Sequence, residues 1–314
     1  MARELNEQAL QDWQEGRPAE AEKLLQRALS LRIQILGPAH PEIAQDLNDL
    51  AMCLESQGRY TEMEPLLKRA LAIYERVFGE EHLAIARVWN NLGLLYKKVG
   101  RYRDARQAYE RALALYEHFL GPRHEDTARV LNNLGMLSYH QELYADAEIL
   151  LNRALMLREK LLGAEHPETA NSLNNLAMLY YHQGQFERAE PLYQRTLAIY
   201  ESLLGAQHPR MAVALNNLGM LYEDQGQFDR AEPLYRRSLA IQEQALGKHH
   251  PETASSLNNL AMLYSKQQRY TRALPLLKRA LDISERALGA NHPDTARIHQ
   301  NYEHLQQLCD ETRN

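Results

Sequence analysis

Residues 163–205 read GAEHPETANSLNNLAMLYYHQGQFERAEPLYQRTLAIYESLLG. Gly163 and Gly205 bracket two apolar-periodic segments that Gly184 separates. In the first segment Leu173, Leu176, Ala177 and Tyr180 fall at the spacing of one helical face. In the second, Ala189, Leu192, Tyr193, Thr196, Ile199, Tyr200 and Leu203 do the same. Glycine just past each end is a C-terminal stop, and Pro167 is tolerated at a helix start. Strand-like alternation is absent. The stretch predicts an antiparallel helix pair.

The same stretch recurs along the chain in steps of 42 residues. Gly37, Gly79, Gly121, Gly163, Gly205, Gly247 and Gly289 hold the step, each followed three residues later by a histidine (His40, His82, His124, His166, His208, His250, His292). Gly16, Gly58, Gly100, Gly184 and Gly226 form a second loop class. Gly93, Gly135 and Gly219 stand where other repeats have Ala51, Ala177 and Ala261, which predicts close approach of a neighbouring helix. Prolines sit at element starts, including Pro65, Pro191, Pro233 and Pro275 in the second segments, where a first-turn place is expected. One helix pair cannot bury both its apolar faces, so neighbours must stack. Seven pairs are expected at 2–36, 41–78, 83–120, 125–162, 167–204, 209–246 and 251–288. A more polar capping helix follows at 293–310. The whole chain, 1–314, reads as one all-α solenoid domain.

The composite pattern LNNLAMLY, then QG, an aromatic, A-E and R-A-L resembles the tetratricopeptide repeat family. The small residue at 177 with Tyr180, Gly184, Phe186, Ala189 and Tyr193 follows that family's signature. The 42-residue form, with LG-x-x-H-P-x-T-A, is similar to the repeats of kinesin light chains and their bacterial relatives. The resemblance implies a right-handed superhelix whose first helices line a peptide-binding groove. It does not carry over the motor-adaptor role, because the heptad segment that joins the motor is not found.

Composition excludes several function classes. Lys plus Arg is 36 and Asp plus Glu is 41, giving 36 − 41 = −5, which argues against a general nucleic-acid binder. No apolar run of about 18 residues is present, so no membrane association is expected. Cys53 and Cys309 make no disulfide framework, which fits a reducing, cytoplasmic setting. The register histidines tempt a metal reading, but stacked helices lie ~8–10 Å apart, too far for successive repeats to share one ion. They are read as turn residues before each first helix. No phosphate-cradling loop, H-E-x-x-H or paired nucleophile and base stands out. No cofactor is expected, and the chain reads as a non-enzyme.

The first helices carry a second stripe. With Gly93 as position 8, positions 2, 5, 6, 9, 12 and 13 point away from the core face. Position 5 holds Asn48, Asn90, Asn132, Asn174, Asn216 and Asn258; position 9 includes Met136, Met178 and Met220. Asparagine at every position 5 costs helix propensity, yet its amide offers both donor and acceptor to an extended peptide. Position 5 is therefore read as ligand contact, and position 6 as a bridge between repeats. Burial of the Asn90–Asn258 row among the layers would contradict this. Along the stripe the charge runs from Arg87, Lys97, Lys98 and Arg129 through Tyr139, His140, Tyr181 and His182 to Glu223 and Asp224, with Lys266 beyond. The expected function is a scaffold that binds an extended acidic and aromatic peptide. The alternatives are a regulatory segment of a larger ATPase-type signalling protein, or a self-associating scaffold.

Overall fold

The computed structural model describes residues 2–14, 17–290 and 292–311. Gly16, placed above in the second loop class, lies outside them. Fifteen helices and no strand run through the described residues. Their Cα packing divides them into two compact units, 1–161 and 162–314.

The first unit holds α1 (Ala2–Gln14), α2 (Pro18–Leu36), α3 (Pro41–Ser56), α4 (Tyr60–Phe78), α5 (Leu83–Lys98), α6 (Tyr102–Leu120), α7 (Glu125–His140) and α8 (Tyr144–Leu162), whose last residue crosses the division. The second holds α9 (Pro167–His182), α10 (Phe186–Leu204), α11 (Pro209–Asp224), α12 (Phe228–Ala245), α13 (Pro251–Lys266), α14 (Tyr270–Leu288) and α15 (Pro293–Glu311). Within each unit a repeat's two helices pack on each other, and the second helix packs on the next repeat's first. Within a unit successive first helices also touch, as α3 with α5 and α11 with α13 do.

Local chemistry sets these boundaries. Each register histidine is an N-cap: Nδ1 of His40, His82, His124, His166, His208, His250 and His292 accepts the backbone N–H two residues on, at 3.1–3.2 Å. That satisfies one of the donors a helix start leaves open. At the other end, the N–H three residues past the first helix reaches back to its last turn, as from Arg101 to the Tyr96 carbonyl at 2.8 Å. The bond requires a left-handed residue between, which is Gly100 in α5's loop, φ +77°. Glu142 and Gln268 adopt the same conformation without being glycine, at φ 60° and 59°. Because this turn delivers the chain straight into the second helix, Pro65, Pro191, Pro233 and Pro275 lie in the second turn, not the first. Pro65, for example, follows Tyr60, the first residue of α4, by five positions. Each forfeits one helical hydrogen bond.

The small position-8 residues do mark close approach. A Cβ on Gly93 would lie 2.6 Å from the Tyr109 ring, and one on Gly219 would lie 2.8 Å from Tyr235. Tyr109 and Tyr235 are among the largest fully buried side chains. In the first unit Ile43, Leu47, Met63, Leu67, Ile85, Leu92 and Leu137 join Tyr109 in one core; in the second Leu173, Tyr193, Ile199, Leu221, Tyr235 and Leu277 are buried.

Candidate functional site

The second stripe of the first helices divides into an inner part that ties repeats together and an outer part that stays open. The asparagines belong to the inner part. Asn91 Nδ2 donates to Asn48 Oδ1 at 2.8 Å and Asn133 to Asn90 at 3.0 Å. In the second unit Asn217 donates to Asn174 at 3.1 Å and Asn301 to Asn258 at 2.8 Å. Position 6 of one repeat thus donates to position 5 of the repeat before. Asn48, Asn90, Asn132 and Asn258 are buried, none more than 7% exposed, and Asn174 and Asn216 are half-buried. The four buried amides, Asn48, Asn90, Asn132 and Asn258, are closed to a ligand, against the expectation of contact at position 5. Its amides sit between layers, where losing a partner strands a buried polar group. Asn216 departs from the pattern by donating to Ser256 Oγ at 3.0 Å.

The two position-2 arginines differ. Arg87 is half-buried and bonds Gln45 of α3, which ties α5 to the preceding repeat. Arg129 is exposed and pairs with Asp126 of its own helix. Of the methionine row, Met136 is buried and Met178 and Met220 are half-buried.

Positions 12 and 13 are the open part. In the first unit they place Lys97, Lys98, Tyr139 and His140 together with Glu55. Lys98 pairs with Glu55 at 3.6 Å. Lys97 is half-buried and makes no direct ion pair among the described residues; burial, then neighbouring Lys98, pushes its amine down from the ordinary lysine value, while Glu55 at longer range opposes them. His140 is likewise pushed down, by burial and then by Lys97. Tyr139 stacks edge-on to His140 at 5.2 Å, and burial pushes its phenol up to about 12. Beneath them the buried Tyr109 hydroxyl has no hydrogen-bond partner.

The second unit closes the same positions on themselves. The Tyr235 hydroxyl donates to Glu223 at 2.7 Å, and Lys266 pairs with Glu223 at 2.9 Å and with Asp224 at 3.3 Å. Tyr181 donates to Asp224 as well.

A cavity that the site residues named from sequence did not include opens on the stripe of the first two repeats. It holds about 400 Å³ and is floored by Leu10, Trp13, Leu25, Met52 and Cys53, with Arg3, Asn6, Glu7 and Asp49 at its rim. Leu10 and Trp13 are exposed, and the Trp13 indole N–H donates to Ser56 Oγ at 3.3 Å. By the repeat register Leu10 and Met52 stand at position 9 and Trp13 at position 12. No three His, Cys, Asp or Glu side chains converge as a metal site among the described residues. No helix there is long and apolar enough to cross a membrane.

The tetratricopeptide repeat family model matches seven overlapping stretches: 1–62, 46–118, 86–160, 126–202, 169–244, 210–285 and 252–308. No curated protein matches the chain. Among solved structures, BtubC (BKLC) from P. vanneervenii is 24% identical, covering 76% of this chain and 93% of that one, at TM-score 0.57. The nearly identical TPR-like repeats of a Podosopora anserina chain named as a kinesin light chain are 25% identical. They cover 66% of this chain and 99% of that one, at TM-score 0.54. The apo form of RapI is 14% identical, covering 91% of this chain and 98% of that one, at TM-score 0.67, a likeness of fold alone.

Proposed function

This chain belongs to the tetratricopeptide repeat family, and from that premise we propose that it is a non-enzymatic scaffold whose first unit holds an extended peptide. Repeats of this family typically serve protein–protein interaction, the coarse role that the fold supports. The observation that carries the finer reading is the apolar cavity of Leu10, Trp13 and Met52 on the same stripe as the unpaired Lys97. An exposed tryptophan beside a leucine and a methionine offers a soft apolar seat, which suits one large side chain of a ligand. A half-buried cation in no direct ion pair gains from an incoming carboxylate, the more so where Glu55 is already engaged by Lys98. The peptide would therefore carry an apolar or aromatic anchor followed by acidic residues. The asparagine ladder supplies the rigid wall, not the contacts.

The test is an array of acidic peptides, each with a single Leu, Trp or Tyr, read by fluorescence anisotropy against the full chain. Trp13→Ala with Leu10→Ala should weaken the best peptide by about 30-fold or more, the effect of losing a contact worth ~2 kcal/mol. Lys97→Glu should weaken it further, and the melting temperature should stay put. Binding that ignores both changes would place the ligand elsewhere.

A further inference from the structure

The second helices present an outer face to solvent, and in α8 that face is unlike the others. Ile149 and Met156, seven residues apart and so on one side of the helix, are 68% and 69% exposed. The corresponding residues in the neighbouring repeats are Pro65, Gln107, Pro191, Pro233 and Pro275 for Ile149, and Ala72, Ala114, Ala198, Ala240 and Asp282 for Met156. Copies of one repeat resemble each other by default, so two large apolar replacements on one exposed face call for a reason. The stack gives none, because neither side chain is buried by it.

Around them lies a shallow cavity of about 400 Å³. Its lining includes the apolar Ile149, Met156 and Leu157 and the cationic Arg123, Arg153 and Lys160, and no carboxylate. Arg153 pairs with Glu117 at 2.6 Å. Arg123 and Lys160 have no ion-pair partner among the described residues. Opposite charge is therefore missing from the site itself.

We propose that this outer face of α8 is a second docking surface, and that its occupant is a short amphipathic helix of a partner protein with acidic residues flanking its apolar stripe. An apolar stripe would lie along Ile149 and Met156, and its carboxylates would meet Arg123 and Lys160. A second copy of this chain is the poorer occupant. A two-fold contact sets the same surface patch against itself, so the three cations of one copy would crowd those of the other. Two exposed apolar side chains also fall well short of the ~800 Å² per partner that a stable pair buries.

The probe is a synthetic helical peptide with leucines at i, i+3 and i+7 and glutamates elsewhere, titrated into the full chain. A lysine-for-glutamate version is the control. The glutamate peptide should bind and weaken with added salt, and the lysine peptide should bind at least about tenfold more weakly. Ile149→Gln with Met156→Ala installs the residues that α6 carries at these places, so the helix should fold as before. It should weaken the glutamate peptide by about tenfold or more. If that variant loses stability, Arg123→Glu with Lys160→Glu gives the second reading and should also weaken the glutamate peptide. Equal affinity for both peptides, unchanged affinity in both variants, or no binding up to about 1 mM would overturn the proposal. So would light scattering that shows a wild-type dimer dissolved by Ile149→Gln with Met156→Ala, which would make the face a self-contact.

Discussion

The two units use the same helix positions in opposite ways. In the second unit Glu223, Asp224 and Lys266 neutralise one another, and the buried Tyr235 hydroxyl has Glu223 to bond. In the first unit Lys97 occupies the place of Glu223, so the Tyr109 hydroxyl below has no acceptor, and the amine makes no direct ion pair, with Glu55 acting on it only at longer range. A surface that satisfies its own charges is finished as structure. One that leaves a half-buried cation open has chemistry left for a ligand. The most disruptive way to break this comparison is Lys266→Met. It would leave Glu223, only 9% exposed, facing Asp224 with no cation. A loss of roughly 2 kcal/mol is expected, below the 3–5 kcal/mol of a fully buried pair because Lys266 is itself exposed. Urea unfolding of wild type and variant measures it. A loss no larger than that of an ordinary surface substitution would mean the second unit's network contributes little.

The repeat boundaries were legible because they depend on local residues that recur. The glycine stops, the histidine before each first helix and the small residue at position 8 each act within one hairpin, and their period shows in the sequence. The role of the asparagines was not legible in the same way. An amide that meets a peptide and an amide that meets the next repeat's amide have the same spacing, because both face away from the hairpin core. Only the approach of α5 to α3, or of α11 to α9, decides between them. Arg87 carries the same ambiguity: its partner, Gln45, lies one repeat back in α3. The cavity at Leu10 and Trp13 was hidden differently. Its residues keep the register of the stripe, so nothing in their spacing sets them apart from the same positions in later repeats.

The backbone frame, unlike the charges, should be equivalent in the two units. Glu142 in the first and Gln268 in the second each hold a left-handed conformation that glycine holds in other repeats. Glu142→Gly and Gln268→Gly should each stabilise the chain by about 1 kcal/mol, since the conformation strains a residue with a Cβ. A higher melting temperature for both variants checks it. A gain in one unit alone would show that the frame differs between them as well.

The finest prediction separates stability from binding at Lys97 itself. Lys97→Met removes an unpaired, half-buried charge and keeps the apolar stem. Stability near neutral pH should therefore change by less than about 1 kcal/mol, in contrast to Lys266→Met. The acid side carries the sharper sign. Burial and Lys97 hold His140 below its ordinary value, so the unfolded chain binds that proton more readily than the folded one. The resulting stability is present above about pH 6.5 and drains away as pH falls through the depressed folded value. Removing Lys97 lifts part of the depression, so the variant should lose less stability than wild type between about pH 7.5 and about pH 5.5. His182 in the second unit feels Asp224, which opposes the effect of burial there, and the corresponding drain should be smaller. Unfolding curves of wild type, Lys97→Met and His182→Gln across that window measure both. If Lys97→Met matched wild type at every pH, Lys97 and His140 would not share one electrostatic site, and the acidic half of the peptide would have no seat beside them.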